Sequence, residues 1–533
     1  MNSFLKKHAS KVNGVLSGWD RLLLRGMLQT LTYVKGMMMY LSGVSVLLRD
    51  FGKHVDCVTK QLREASLQQA AQSGRPILYL PNYHGRKDDL AREIAERDHI
   101  TEGLVCILKT VEPCNAYNIG RNVKTRYLEL QPQIRKCLHL YHYMIHPEFG
   151  FMHARLQTWF PFGIQICING REWLSRQMDQ AGIKYERRAN CFTDLEDFLA
   201  AQKLLDQQPR ANWPRLLDAI VDQIHPAHQH IFRAHPLNYY WSAHQSEWAT
   251  DVTFRSREEL QSIYRPLIRF AITSVSGADV LRYMGRKVNR DGSVPGGFNQ
   301  EVLSNVKHRP EGVRIKHRVG HNSLKIYDKE NNLRFETTMN DPKDFKVYRP
   351  KSGDPDGPSD WRPLRKGVAD LIRRAEVSQA ANNRLMESQA AVSNETALKE
   401  LVEPLCRPVS VPGRPKANGR GRTKPQRHRG LNPFSTDDAL LIKAVSQPEF
   451  NHNGLRNRDL SALLYPKPAR SSKERRRRSA AVTRKLALLR AHRLIHKVPK
   501  THRYTVSPQG RLAMTALLAA YDANTDQLAK SAA

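Results

Sequence analysis

Acidic residues are scarce in this chain of 533 residues, which has 51 Asp and Glu against 85 Lys and Arg and a formal net charge of +34. Such an excess predicts a polyanionic partner, nucleic acid first, or an anionic membrane surface. Long apolar runs are also lacking, since the stretch 33–48 is interrupted by Lys35 and falls short of the roughly 18 to 20 residues that cross a bilayer. We therefore expect no membrane segment, no secretory signal and a cytoplasmic location.

Cysteine is sparse too, with seven residues scattered along the chain and no CxxC pair. This pattern excludes a disulfide framework and a structural zinc site. The motifs GxxxxGK, GxGxxG and GxSxG are missing, so ATP hydrolysis, nicotinamide chemistry and serine hydrolysis have no support.

The positive charge is concentrated near the end of the chain, where residues 408–533 carry +19 of the total of +34. Residues 408–430 have seven basic residues, no acidic residue and many Pro and Gly, which predicts a basic linker that buries little apolar surface. The pattern after it predicts three helices, a basic two-stranded hairpin and a last helix, at 439–445, 457–464, 480–494, 495–506 and 509–521.

The segment from Val482 to Met514 resembles winged-helix DNA-binding domains, with the order "LLxxxxLI", basic wing and "YxVSPxGR". In that family the third helix enters the major groove and the wing contacts phosphates. The resemblance implies nucleic-acid contacts for Arg484, Lys485, Arg490, Lys500 and Arg503. A winged helix used for protein contact is the alternative, although eleven basic residues against one acid in 471–500 favour phosphate binding.

The rest of the chain predicts an α+β fold with a mixed or antiparallel sheet. We expect a strand at Trp19–Leu28, further strands alternating with helices to about 108, and a sheet meander at 137–168 followed by a helix at 172–181. Residues 190–235, 256–272 and 360–405 are predicted to be helical. The predicted regions are 1–135, an α+β body at 136–358, a helical extension at 359–407, the linker at 408–430 and the winged helix at 431–533.

A hairpin is predicted around the sequence "SLKIYDKENNLRFETTMN". A turn at 329–332 places Tyr327 opposite Arg334 and Lys325 opposite Glu336 on one polar face. Lys and Arg bind phosphate there, with Lys329 nearby, and a carboxylate holds a divalent ion beside a tyrosine nucleophile. The alternative is an exposed ladder of cross-strand ion pairs in which the tyrosine is an ordinary strand residue.

The same hairpin is similar to the "YDKxxxxxxRxE" segment of rolling-circle replication initiators of plasmids and filamentous phages, and "WDRLLL" at 19–24 is similar to their first strand. The resemblance implies Tyr327 as the nucleophile and Asp20 and Glu336 as ligands of Mg²⁺ or Mn²⁺. It departs from the nickase pattern because the chain lacks a His-hydrophobic-His pair. The whole chain also resembles an uncharacterised family of bacterial proteins.

Two further groups of residues could bind a metal ion, and each also has an ordinary structural explanation. His139, His142 and His146 share a metal only if they lie on a helix, and otherwise they are core histidines. If they lie on a helix, Glu247 and Asp251 share one face and could bind a divalent ion; the alternative is an ordinary capped helix end. The sequence thus predicts a DNA strand-nicking or strand-joining enzyme of a mobile or plasmid-like element, or alternatively a non-catalytic DNA- or RNA-binding protein.

Overall fold

A computed structural model represents the protein. It describes residues 2–81, 84–188, 190–289, 294, 300–309, 312–351, 353–354, 356–390, 398–412, 424–447, 450, 454–498 and 501–522. The predicted contact residue Lys500 lies outside these residues.

The α-helices are α1 (Ser3–Lys7), α2 (Val34–Gly43), α3 (Phe51–Gln72), α4 (Lys87–Arg97), α5 (Gly170–Ala181), α6 (Phe198–Gln207), α7 (Trp213–Ile224), α8 (His228–Ile231), α9 (Arg257–Thr273), α10 (Gly277–Tyr283), α11 (Leu371–Gln389), α12 (Leu398–Cys406), α13 (Thr436–Val445), α14 (Asn457–Leu464), α15 (Ser472–Ala491) and α16 (Pro508–Asp522).

The strands are β1 (Val12–Leu28), β2 (Ile77–Tyr79), β3 (Gly103–Arg121), β4 (Leu128–His146), β5 (Gly150–Gln157), β6 (Ile164–Asn169), β7 (Tyr185–Arg188), β8 (Cys191–Leu195), β9 (Tyr239–Phe254), β10 (Val302–Arg309), β11 (Gly312–Val319), β12 (Asn322–Lys329), β13 (Asn332–Met339), β14 (Lys346–Arg349), β15 (Asp360–Pro363), β16 (Val409–Val411), β17 (Gln426–His428), β18 (Leu455–Arg456), β19 (Ile495–Lys497) and β20 (Arg503–Val506). The predicted α+β class is confirmed.

The chain divides into two units, each built from separate segments. The sheet unit comprises Asn13–Phe254 and Lys329–Asn382, and the terminal unit comprises Met1–Val12, Arg255–Asp328 and Asn383–Ala533. The expected boundary at residue 135 falls inside β4, which pairs with β3 along nearly its whole length. Distant segments are brought together by strand pairing, which no local change of composition reveals.

Eight strands of the sheet unit lie in the order β13-β9-β1-β6-β5-β4-β3-β2. The β4-β5-β6 meander is antiparallel and is followed by α5, as predicted. One face of the sheet packs in a large apolar core that includes Trp19, Leu24, Ile166 and residues of α3 and α7. Alternate strand residues therefore project from the opposite face, which α4 covers in part through Ala91 and Ile94.

Two stretches predicted to be helical contain strands, and the helix considered around Glu247 and Asp251 is a strand as well. Cys191–Leu195 is a strand because Cys191 and Phe192 are buried and the segment pairs with β7. Residues 239–254 form β9, so Asp251 lies in a strand, and Asp360–Pro363 pairs with β14. The outer parts of the predicted linker also pair, with Ser410 opposite Arg427, because strand pairing satisfies backbone hydrogen bonds without burying apolar side chains.

The C-terminal segment of the terminal unit follows the predicted order of elements closely. Ser435 caps α13, α14 spans the predicted residues, and Pro508 begins α16. The third helix begins at Ser472 rather than at 480, because Ser471 caps it and the basic run 475–478 continues the helix. Strands β18, β20 and β19 form a small sheet, and the core of this segment contains Val482, Leu486, Leu489 and Leu494.

Candidate metal centre

Three carboxylates from three neighbouring strands of the sheet unit meet at one point. Asp20 lies in β1, Glu247 in β9 and Glu336 in β13, and one oxygen of each lies within 4.8 Å of the others. Asp20 and Glu336 are buried, with Glu336 only 1% exposed, and Glu247 is half-buried. The structure thus brings together the two metal ligands predicted from the resemblance and adds a third.

The pairing of β9 with β13 explains why Glu247 and Glu336 share a face. Thr338 lies opposite Glu247 and Arg334 lies opposite Asp251. Because side chains alternate along a strand, residues 334, 336 and 338 project to the same side as residues 247 and 251. Trp248 packs on the other face, edge-on against Trp19.

Glu247 and Asp251 were predicted as a pair on a helix, and the strand separates them. Four residues of a strand span about 13 Å, against about 6 Å along a helix. The two residues still share a face, but only Glu247 reaches Asp20 and Glu336. Asp251 binds two arginines instead.

A buried network of ion pairs surrounds Asp20. The guanidinium of Arg334 donates to Asp20 Oδ1 at 2.6 Å and through Nη2 to Asp251 Oδ2 at 2.8 Å. Arg171 donates to the same Asp251 oxygen at 2.8 Å, and both arginines are completely buried. Burial alone raises the pKa of Asp251, but the charges of Arg334 and Arg171 hold this pKa below its ordinary value.

Asn190 completes the support of Asp20. Its amide donates to Asp20 Oδ1 at 2.8 Å, and its carbonyl oxygen accepts from Arg334 Nη2 at 2.8 Å. Burial, together with the charge of Arg334, lowers the pKa of Lys329. The expectation that Arg334 binds phosphate is therefore corrected, because its donors are directed at protein oxygens in the interior.

The donor set fits a hard divalent cation. Mg²⁺, Mn²⁺ and Ca²⁺ prefer oxygen ligands. Metal–oxygen distances of about 2.0 to 2.5 Å allow two ligands of one ion to lie up to about 5 Å apart, and the three carboxylate oxygens satisfy this limit. Asp20, Glu247 and Glu336 are the residues that would hold such an ion.

Tyr327 and Lys325 lie in β12 of the terminal unit, opposite Arg314 and Lys316 of β11. Tyr327 is 7% exposed and Lys325 is 9% exposed. The exposure expected of an ion-pair ladder is wrong, because Arg334 and Glu336 are buried as well. The interpretation of Tyr327 as an ordinary strand residue stays a prediction. The predicted pairing of Tyr327 with Arg334 stays a prediction.

The predicted contact residues of the C-terminal segment differ in exposure. Arg484 and Arg490 of α15 are exposed, as is Arg503 of β20, while Lys485 is half-buried. Beside Arg503 a cavity of about 390 Å³ is also lined by Arg456 and Arg458. The sequence did not single out these two arginines, because neither lies in a run of basic residues.

The histidines of β4 do not form a metal site. His139 donates to the carbonyl of Cys137 and accepts from Arg155, and His142 is completely buried. Burial lowers the pKa of both imidazoles to about 4. In the described part of the chain, the carboxylates of Asp20, Glu247 and Glu336 are the one group of three that meets at ligand distance.

Comparisons of this chain with protein-family models, curated proteins and solved structures give no match. Within the residues that the structure describes, helices with both the length and the apolar character to cross a membrane are absent. Support for a function therefore comes from the site and the charge distribution.

Proposed function

We propose that this protein nicks or joins strands of DNA with the help of a divalent cation held by Asp20, Glu247 and Glu336. The observation that supports this proposal is the approach of three carboxylate oxygens to within 4.8 Å of one another. Carboxylates this close repel one another in the absence of a cation, and a divalent ion is what such a donor set binds.

Mg²⁺ or Mn²⁺, when bound, offsets charge on the phosphate and stabilises the leaving oxygen. Arg334 and Asn190 keep Asp20 in place beside the other two ligands. Tyr327 is the proposed nucleophile. Its oxygen bonds to phosphorus, the bond from phosphorus to the leaving sugar oxygen breaks, and the phenol proton passes through solvent to that oxygen.

The C-terminal segment supplies recognition in this proposal, as a winged helix. Three helices, a small sheet and a last helix occur in the order typical of that family. Arg484, Arg490 and Arg503 are exposed on this segment, where they are available to phosphates.

A non-catalytic DNA- or RNA-binding protein is the second candidate. The observation in its favour is the 7% exposure of Tyr327, since a nucleophile must reach its phosphate. In that case the basic surfaces bind phosphates, and the carboxylates hold an ion that stabilises the fold.

Cleavage of labelled DNA tests the proposal. Single-stranded and supercoiled substrates are incubated with Mn²⁺ and analysed by denaturing electrophoresis. We expect a covalent protein–DNA adduct that requires Tyr327 and disappears in Tyr327→Phe, and no cleavage by Glu336→Gln.

Glu64→Gln is the matched control, because Glu64 is an exposed residue of α3 and its loss should leave cleavage unchanged. Cleavage without an adduct would assign the attack to water rather than to Tyr327. Cleavage by Glu336→Gln at the wild-type rate would exclude the carboxylate group as the metal centre.

A further inference from the structure

A polar cavity of about 300 Å³ lies in the sheet unit. Arg25 of β1, Gln165 of β6, Arg155 and Gln157 of β5, His139 of β4 and His244 of β9 contribute to its lining. Among the described residues that line it, none is Asp or Glu. The cavity therefore has the size of a small ligand site and a positive lining.

The strand register places its charged residues in a row. Arg25 lies opposite Gln165 in the β1–β6 pair, and Arg155 lies opposite Gln165 in the β5–β6 pair. Arg155 Nη1 donates to Gln165 Oε1 at 2.8 Å. Two guanidinium groups thus flank one amide across three neighbouring strands.

The two arginines differ in their partners. Arg155 pairs with Glu112 at 2.9 Å. Burial raises the pKa of Glu112, but hydrogen bonds from Lys87 and Tyr141 lower it to about 2, so Glu112 stays charged. Arg25 has no carboxylate partner among the described residues, and burial and the charge of Arg155 lower its pKa. The positive charge of Arg25 is thus left uncompensated inside the cavity.

His244 also lies in positively charged surroundings. Burial lowers its pKa, and the charges of Arg25, Lys366 and Arg374 lower it further. His139 is neutral for a similar reason, with burial and Arg155 lowering its pKa to about 4. An anion beside Arg25 and Arg155 would meet two cations and the amide donor of Gln165. The amide of Gln157 donates instead to the carbonyls of Asn115 and Trp159.

The cavity opens on the face of the sheet that carries the carboxylates. Leu24 and Trp248 pack in the apolar core, so Arg25 and Glu247, their neighbours in sequence, project from the opposite face. Asp20 and Arg25 both lie in β1, five residues apart. Five residues of a strand span about 17 Å, or roughly five nucleotides at 3.4 Å each.

We propose that this cavity binds a backbone phosphate of the nucleic-acid strand whose reacting phosphate lies at Asp20, Glu247 and Glu336. The identification of the ligand as a nucleic-acid phosphate rests on the proposed function. Arg25 and Arg155 bind the phosphate oxygens, and Gln165 holds Arg155 in place. The contact fixes the position of the strand and is independent of base sequence.

The salt dependence of binding tests the cavity without requiring cleavage. A fluorescein-labelled 20-mer of single-stranded DNA is titrated with the full chain in EDTA at several salt concentrations. Each phosphate contact on a single strand contributes about −0.7 to the slope of log K against log salt. We expect Arg25→Gln to reduce the slope by about 0.7 and to weaken binding at low salt, and Arg25→Lys to retain the wild-type slope.

Arg63→Gln is the matched control. Arg63 is an exposed residue of α3, a helix that packs on the opposite face of the sheet, so its loss should leave the slope unchanged. Thermal midpoints identify any variant that fails to fold. A folded Arg25→Gln with the wild-type slope, or Arg63→Gln with the same loss, overturns the assignment.

The outcome is separable from that of the proposed function. A reduced slope in Arg25→Gln supports the cavity even in a protein that never cleaves DNA. Conversely, cleavage that depends on Glu336 together with an unchanged slope in Arg25→Gln supports the enzyme and excludes the cavity as a phosphate site.

Discussion

Exchange of Glu336 for glutamine separates a metal centre from a structural ion pair by the sign of its effect on stability. The substitution keeps size and removes one of three carboxylates whose oxygens lie within 4.8 Å. Two like charges at that distance repel by about 3.5 kcal/mol at an effective dielectric constant of about 20. Without metal, we expect Glu336→Gln to be more stable than the wild type by up to about 3 kcal/mol.

Metal should close most of this difference. A ligand at 100 times its Kd stabilises the folded state by about 2.7 kcal/mol, so Mn²⁺ should raise the free energy of unfolding of the wild type by about this amount. Because Glu336→Gln lacks one of the three carboxylate ligands, Mn²⁺ should raise the free energy of unfolding of this variant by much less.

Urea denaturation in EDTA and in millimolar Mn²⁺ measures both effects. Glu64→Gln should resemble the wild type within about 0.5 kcal/mol, since exposed substitutions away from special features change little. The reasoning would be refuted if Glu336→Gln were less stable than the wild type in EDTA and gained equally from Mn²⁺. That result is expected of a buried ion pair that has lost one partner.

Three further predictions concern the network, the histidines and the C-terminal segment. Asp251→Asn leaves Arg334 and Arg171 buried beside a neutral group and should lower the free energy of unfolding by about 3 to 5 kcal/mol in urea denaturation; a loss below 1 kcal/mol would contradict the network. Burial lowers the pKa of His142 to about 4. Below pH 6.5 the unfolded chain therefore binds a proton at this histidine that the folded chain does not bind. The free energy of unfolding should fall by about 3 kcal/mol between pH 6.5 and pH 4. His142→Phe should remove that part of the pH dependence in urea titrations, and an unchanged profile would contradict it. Deletion of 431–533 should abolish site preference in a competition assay and leave weaker binding by the remainder, whereas equal discrimination by both proteins would count against DNA recognition by the deleted segment.

Helices and strands that are marked by caps, prolines, alternation or short turns could be predicted from the sequence. The helix predicted at 457–464 is α14, and the helix predicted at 509–521 lies within α16, because the caps and prolines that bound a helix act on their own turn. The β4-β5-β6 meander was predicted from alternation and short turns. The α+β class followed from these segments.

Long-range pairing could not be predicted in the same way. Glu247 joins Glu336 because β9 pairs with β13, and the two strands are separated by more than 75 residues. Asp20 was identified through a resemblance, not through any pattern around it. Arg25 and Arg155 occupy unremarkable positions in sequence and become neighbours only when β1, β6 and β5 align.

Arg334 and Glu336 show how one strand supplies two parts of the proposed site. They lie two residues apart and share a face, and only the glutamate belongs to the carboxylate group. Arg334 binds Asp20, Asp251 and the carbonyl of Asn190. Buried ion pairs of this kind are often no more stabilising than apolar side chains of the same volume. Stability alone therefore gives no reason for a fully buried arginine here. The proposed metal centre supplies one, because Arg334 holds Asp20 beside Glu247 and Glu336.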